Sequence, residues 1–376
     1  MVWQRTVGVA SLVGAFVLGL SFGLQTPTDT QNAAETSGEV TRDSRLWEGS
    51  GEPVTIAFAG DVHFQAPIRA QLMANPSGLL ADVAPALSTA DITIVNLETA
   101  ITNRGTPASK AYTFRDPPEG LAALQAAGVD VVTAANNHGL DYGLAGLTDT
   151  LAAGAASGLP IIGIGMDDTQ AYAPYITDVD GQRIGILAGS HVIDEALEAD
   201  WTAGPGKPGM ANAMIDRMDQ AVRDLRAEVD TLIVYPHWGI ETQQCPSDMQ
   251  RRMVERMYAA GADVVVGTHT HRLLGAGFYK DMFVGYGLGN FMFYADAGPS
   301  GETGVLTVTA TGRHVDDYVW QPGQITNGVP DLLTGQAATA AQQEWADLRQ
   351  CTDLTAEAGG DSSAAADLGA AGGSAG

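Results

Sequence analysis

The stretch Val54-Thr55-Ile56-Ala57-Phe58-Ala59-Gly60-Asp61-Val62-His63 decides how the rest of the chain is read. A short apolar, partly β-branched run ends in a glycine, and an acid and an imidazole follow with one residue between them. Alternate residues of an extended segment point the same way, so Asp61 and His63 can meet one cation or two adjacent ones. The arrangement recurs downstream. After Asp91–Val95 comes Asn96-Leu97-Glu98, and after Val129–Thr133 comes Ala134-Ala135-Asn136-Asn137-His138. Thr231–Tyr235 is followed by Pro236-His237-Trp238-Gly239, and Asp263–Val266 by Gly267-Thr268-His269-Thr270-His271. In layered α/β folds the carboxyl ends of strands form the ligand-binding rim. Five strand candidates therefore deliver metal-capable groups to one rim. Five of the seven histidines sit in these segments, leaving His191 and His314 outside. Imidazoles, carboxylates and an amide without thiolate suit Mn, Zn or Fe rather than a structural zinc–cysteine site.

Helical patterns fill the intervals at Pro118–Ala127, Gly143–Ser157, Ala211–Glu228 and Ser247–Ala260, which predicts an α/β or α+β layered fold. Gly128 and Gly261 suit C-caps before the next strand. Further strands are expected at Arg183–Ala188, Met282–Tyr286, Val305–Thr309 and Tyr318–Trp320. Around this core, residues 1–24 read as an export signal, with Arg5 ahead of an apolar stretch from Val7 to Leu24. Ser21-Phe22-Gly23 suits cleavage, while the apolar length suits an uncleaved membrane anchor, and both readings place the domain outside the cytoplasmic membrane. Residues 25–53 read as a flexible linker, 54–320 as the domain, 321–354 as an appended segment and 355–376 as a disordered Ala/Gly-rich tail. Cys245 and Cys351 are either one disulfide of an exported chain or two unrelated thiols. The formal net charge of −25, from 19 basic and 44 acidic residues, argues against nucleic-acid binding. An anionic substrate has to be drawn in by local positive charge, which divalent cations would supply.

Taken in order, the segments resemble the bacterial capsule-synthesis CapA family, also named poly-γ-glutamate synthesis proteins. The resemblance covers nearly the whole core. It is carried as well by Asn136-Asn137-His138-Gly139-Leu140-Asp141-Tyr142-Gly143, His237-Trp238-Gly239-Ile240-Glu241 and Gly287-Leu288-Gly289-Asn290-Phe291. It implies a calcineurin-like metallophosphoesterase fold, a four-layer αββα sandwich, holding two divalent metal ions. Residue by residue, it implies that Asp61, His63 and His271 hold one metal, that Asn137, His237 and His269 hold the second, and that Glu98 bridges them. His138 falls where the family's general acid stands, with Asp141 to orient it. Two positions depart from the metallophosphoesterase pattern: Asn-Leu-Glu replaces the usual Gly-Asp pair, and Asn-Asn-His replaces Gly-Asn-His. The longer Glu98 side chain bears on metal spacing, so phosphatase activity does not simply carry across.

For substrate, Arg115 in Tyr112-Thr113-Phe114-Arg115-Asp116-Pro117-Pro118 is a candidate to bind a carboxylate or phosphate by a bidentate fork. Glu241 and Asn290 are candidates to line the site or to brace its loops. The expected function is that of a metal-dependent hydrolase-like protein, secreted or anchored by its N-terminal segment. It would act in the synthesis, release or anchoring of a surface polymer such as poly-γ-glutamate, on a phosphoester or a γ-glutamyl amide. Its partners would be the polymer or its precursor and a membrane synthase complex. The alternatives are a non-enzymatic accessory subunit of a membrane-bound synthase and a general phosphodiesterase or nucleotidase.

Overall fold

Along the opening strand Ile56 and Phe58 face one way, and Ala57 and Ala59 the other, yet all four are fully buried. A strand buried on both faces needs a layer on each side. The computed structural model, which describes residues 51–360, shows what those layers are. The leader expected at 1–24, most of the linker and most of the tail lie outside the described residues.

The strands of the two large sheets, numbered in chain order, begin with β1 (Val54–Val62), β2 (Ile92–Leu97), β3 (Val131–Thr133) and β4 (Ile161–Ile162). The second sheet follows with β5 (Tyr175–Val179), β6 (Gln182–Ser190), β7 (Thr231–His237), β8 (Val264–Val266), β9 (Ala276–Tyr279) and β10 (Met282–Gly285). The chain then returns to the first sheet with β11 (Asn290–Met292), β12 (Glu302–Thr311), β13 (His314–Thr326) and β14 (Val329–Leu332). The first sheet runs in the order β14-β13-β12-β1-β2-β3-β4, with β11 beside the end of β1. The second runs β9-β10-β8-β7-β6-β5. At the centre of each sheet the strands are parallel: β1, β2 and β3 in the first, β6, β7, β8 and β10 in the second.

Ile56, Phe58, Ile94 and Val131 of the first sheet pack against Ile186, Ile233, Val264 and Phe283 of the second. The outer face of the first sheet, with Ala57, Val95 and Val132, is covered by α1 (Pro67–Ala74) through Ile68 and Leu72, and by α2 (Glu119–Ala126) through Leu121 and Leu124. The long helix α3 (Gly143–Ser157) follows β3 and packs beside α2. The outer face of the second sheet, with Leu187, Val234 and Val265, is covered by α4 (Asp216–Arg226) through Met218 and Val222, and by α5 (Asp248–Ala260) through Met253 and Met257. The molecule is thus a four-layer αββα sandwich. Period-two alternation in the strands and a 3.6-residue stripe on the helices are what build it.

Two expectations about domain boundaries and one about a helix start need correction. The domain does not end at Trp320, because β13 runs without a break from His314 to Thr326 and then pairs with β14. Residues 321–332 are integral to the sheet, and Trp345 of α6 (Gly335–Asp347) stacks on Trp320 with ring centroids 5.0 Å apart. The irregular tail does not begin at Thr355 either, since Thr355 bridges Phe278 and the Gly359 N–H reaches the Lys280 carbonyl at 2.7 Å. Composition missed both because a strand edge accepts any residue through its backbone. The helix expected from Ala211 starts at Asp216, because Ala211 and Ala213 are spent on loop hydrogen bonds to Gly163 and Ser190. Among the described residues no helix is long and apolar enough to cross a membrane.

Candidate metal centre

The parallel strands β1, β2, β3, β7 and β8 all point their carboxyl ends to the same rim, and each expected ligand lies in the last residues of one of them or in the loop that leaves it. At β1 the delivery depends on a close approach: a Cβ on Gly60 would run into the Gly289 carbonyl oxygen. The ladder to β2 shifts register there, and the Asp61 N–H donates to Gly289 at 3.0 Å. Asp61 is fully buried and both its oxygens are engaged, Oδ1 by Asn96 Nδ2 at 2.7 Å and Oδ2 by the His269 N–H at 3.1 Å. Asn136 Nδ2 in turn donates to Asn96 Oδ1 at 3.0 Å and to the Leu97 carbonyl at 2.8 Å. Three strand ends are thereby tied together by buried amides.

The imidazoles gather around Glu98. His237 Nε2 lies 2.7 Å from Asn137 Oδ1, 3.1 Å from His269 Nδ1 and 3.6 Å from Glu98 Oε1. Its other nitrogen sits 3.0 Å from Thr268 Oγ1, which fixes the ring. His271 Nε2 lies 4.0 Å from Glu98 Oε1, and His271 Nδ1 lies 3.5 Å from Asp61 Oδ2 and 2.8 Å from Asn290 Oδ1. Donor atoms of Glu98, His269 and His271 all fall within 4.8 Å of one another. His63 is packed against Phe293, Tyr294 and Phe114 at ring-centroid distances of 4.0, 4.7 and 4.9 Å. The Gln65 N–H donates to its Nδ1 at 3.1 Å, so ligation through Nε2 moves the ring proton to Nδ1 and costs that contact. His269 and His271 have φ of 96° and 53°, in a region side-chain-bearing residues seldom adopt and that costs on the order of 1–3 kcal/mol per residue.

The residues fit a metal on three grounds. His63 Nε2 and both oxygens of Glu98 are buried with no hydrogen-bond partner, an expensive state for polar atoms. Burial, together with neighbouring imidazoles, holds His63, His237 and His269 well below the usual imidazole range, so they are neutral and have a lone pair to offer. Glu98 is pushed well up by burial and then by the Asp61 carboxylate. Burial works against the charged form of His271 too, but Glu98 and Asp61 outweigh it and raise that group to about 10. Crowded carboxylates among three neutral imidazoles and one that they hold protonated form a set that a metal cation, taking the place of that proton, relieves.

Beside this cluster, His138 Nδ1 lies 2.6 Å from Asp141 Oδ2, and its Nε2 lies 3.9 Å from Glu98 Oε1. Asp141 also accepts the Phe114 N–H at 2.6 Å and pairs with Lys110 Nζ at 2.8 Å. Phe114 stacks on the His138 ring at 4.0 Å. Burial lowers the His138 pKa against the pull of Asp141. Of the two roles considered for Asn290, bracing is the one its contacts describe: its oxygen meets His271 and its amide donates to the Ser300 carbonyl at 2.9 Å. The Arg115 guanidinium lies over the Tyr142 ring, 4.4 Å from the centroid, rather than on the cluster. Glu241 is exposed, yet close enough for its charge to help raise Glu98. The reading of the sequence assigned no role to Lys110, Asn96, Asn136, Thr268 or the aromatic wall. The two asparagines stood in the strand-end segments and were findable there, whereas Lys110 carried no local signal.

The same stretch of chain is matched by a known family. Residues 55–295 fit the family described as bacterial capsule synthesis protein PGA_cap. The chain belongs to that family. It is 28% identical over 249 residues to the PGA biosynthesis protein CapA of Bacillus subtilis (strain 168), covering 65% of this chain and 64% of that protein. It is 30% identical over 208 residues to a probable polyglutamine synthesis accessory protein of Mycobacterium tuberculosis (strain ATCC 25618 / H37Rv), covering 53% and 55%. In both cases less than two thirds of the relative's length is spanned. Among solved structures it is similar to the calcineurin-like phosphoesterase YfkN from Bacillus subtilis, 16% identical, covering 78% of this chain and 96% of that one at a TM-score of 0.40. The four layers of this family member are read from its own sheets and cores.

Proposed function

We propose that this protein is an extracytoplasmic, metal-dependent hydrolase-like member of the capsule-synthesis family, acting in the synthesis, release or anchoring of a surface polymer such as poly-γ-glutamate. The observation that carries this reading is the meeting of five strand ends at a buried cluster whose His63 Nε2 and Glu98 oxygens have no partner. On this reading Asp61, His63 and His271 would hold one divalent ion and Asn137, His237 and His269 a second, with Glu98 shared by both. Zn, Mn and Fe all suit the donors. When bound, such a pair supplies Lewis acidity and a water that is deprotonated near neutral pH.

The chain's own side chains do the remainder. Asp141 accepts a hydrogen bond from His138 Nδ1 and so turns Nε2 toward Glu98, where that nitrogen can take up a proton and then hand it to a departing atom. Lys110 holds the Asp141 carboxylate from its other side. Phe114, Phe293 and Tyr294 wall the cluster and limit water. Both a phosphoester and a γ-glutamyl amide present an electrophilic centre that this arrangement can serve.

Elemental analysis of the purified protein, followed by an activity screen over phosphoester and γ-glutamyl substrates, tests the proposal. We expect Mn, Zn or Fe to be retained and one substrate class to turn over; protein that binds none of the three removes the basis of the reading. His138→Ala should abolish turnover while leaving folding and metal content intact. A second reading, an accessory subunit that keeps the metal for structure or polymer binding within a membrane synthase complex, is favoured by Glu98 standing where phosphoesterases have an aspartate. Polymer formation that survives His138→Ala would select it.

A further inference from the structure

Away from the metal cluster, a cavity of about 480 Å³ lies between α6 and the strands β12 and β13. Three carboxylates border it, those of Glu302, Glu344 and Asp347, and no lysine or arginine is among the residues that line it. Burial raises the Glu302 pKa and Glu344 adds to the rise, against the pull of Arg272 nearby. One wall is the pair Trp320 and Trp345, stacked with ring planes 15° apart. Both are nine-tenths buried or more, and neither indole N–H has an acceptor. Gln324 adds an amide.

These features specify a ligand by its chemistry. The carboxylates favour a cation, and the apolar indole wall favours the aliphatic stem that carries it. Unpaired indole N–H groups favour a neighbouring carbonyl acceptor. A lysine or arginine side chain offered on a peptide backbone has all three. We propose that this cavity binds a basic side chain of a peptide, independently of the reaction performed at the metal centre.

The location gives such binding a consequence. Leu273, two residues beyond His271, lines the cavity. Thr303, also in the lining, donates through Oγ1 to the Asn290 carbonyl at 2.6 Å, and Asn290 Oδ1 is the atom that meets His271. An occupant therefore lies against the two segments that hold one of the candidate metal ligands in place.

The test uses the full chain and four capped tripeptides that differ only in a central Lys, Arg, Gln or Glu, titrated by calorimetry and by tryptophan fluorescence. The Lys and Arg peptides should bind, and the Gln and Glu peptides should bind far more weakly. Glu344 and Asp347 are exposed, so the double variant Glu344→Gln/Asp347→Asn should keep its fold, with an unchanged melting curve as the control. In that variant affinity for the basic peptides should fall about tenfold, as expected for losing two solvent-exposed charge pairs. Trp345→Phe should weaken binding and remove part of the fluorescence response. Absence of binding, equal affinity for the Lys and Gln peptides, or an unchanged affinity in the double variant would each overturn the proposal.

Discussion

Glu98 is the residue at which the family pattern and the physics of this chain meet. Its carboxylate is fully buried, its oxygens have no hydrogen-bond partner, and three histidine nitrogens stand 3.6 to 4.0 Å from Oε1. A cation that binds only the folded state stabilises it by mass action, about 4 kcal/mol at a thousand-fold excess over Kd. Adding Mn or Zn to metal-free protein should accordingly raise the melting temperature, and Glu98→Gln should remove most of that rise while leaving a folded protein. A rise that Glu98→Gln leaves untouched would place the ion elsewhere. Gly60 makes the complementary point about space, since any side chain there meets the Gly289 carbonyl. Gly60→Ala should cost about 1–3 kcal/mol of stability by overpacking and displace Asp61, read as a lower denaturation midpoint together with lost metal. Asp61, His63, Glu98, His237, His269 and His271 were legible as a set because each follows an apolar run. The contact of Thr268 with the His237 ring was not, because fixing a histidine leaves no mark in local sequence.

At the scale of elements, the strands announced themselves by β-branched runs and the helices by their caps. Ser247 and Gln250 form a reciprocal capping box at the start of α5, and Gly261 closes that helix with φ of 109°. Ser247→Ala should therefore cost about 1 kcal/mol, seen as a shift of the urea midpoint with an unchanged slope. Strands β5 and β14 went unseen because they lie at sheet edges, where a half-exposed strand carries a weak pattern, and the buried edge strand β9 because its four residues Ala-Gly-Phe-Tyr contain no β-branched run. Helix α1 went unseen for a similar reason: its eight residues bury only Ile68 and Leu72. The loop from Thr102 to Phe114 has no periodicity at all, yet it supplies Lys110 and Phe114 to the His138–Asp141 pair.

At the scale of the molecule, the C-terminal segment is fastened across the second sheet. Cys245 and Cys351 are joined, 106 residues apart in sequence, Arg251 pairs with Asp353 at 3.0 Å, and Leu354 is buried. In the chain-entropy model a loop of that length stabilises by about 4–5 kcal/mol. The double variant Cys245→Ser/Cys351→Ser should lose stability toward that figure in urea melts, and an unchanged midpoint would show that the strap holds without its covalent link. The sequence by itself determined the strand–helix alternation, the strand ends that carry acids, amides and imidazoles, and hence the layered α/β class, because burial and backbone periodicity act locally. Only the tertiary structure decided which strand ends meet, that Glu98 stands among histidines from different strands and both sheets, and that residues 321–359 complete the fold. Those outcomes depend on sheet order and on contacts between residues far apart in sequence, and no local pattern records them.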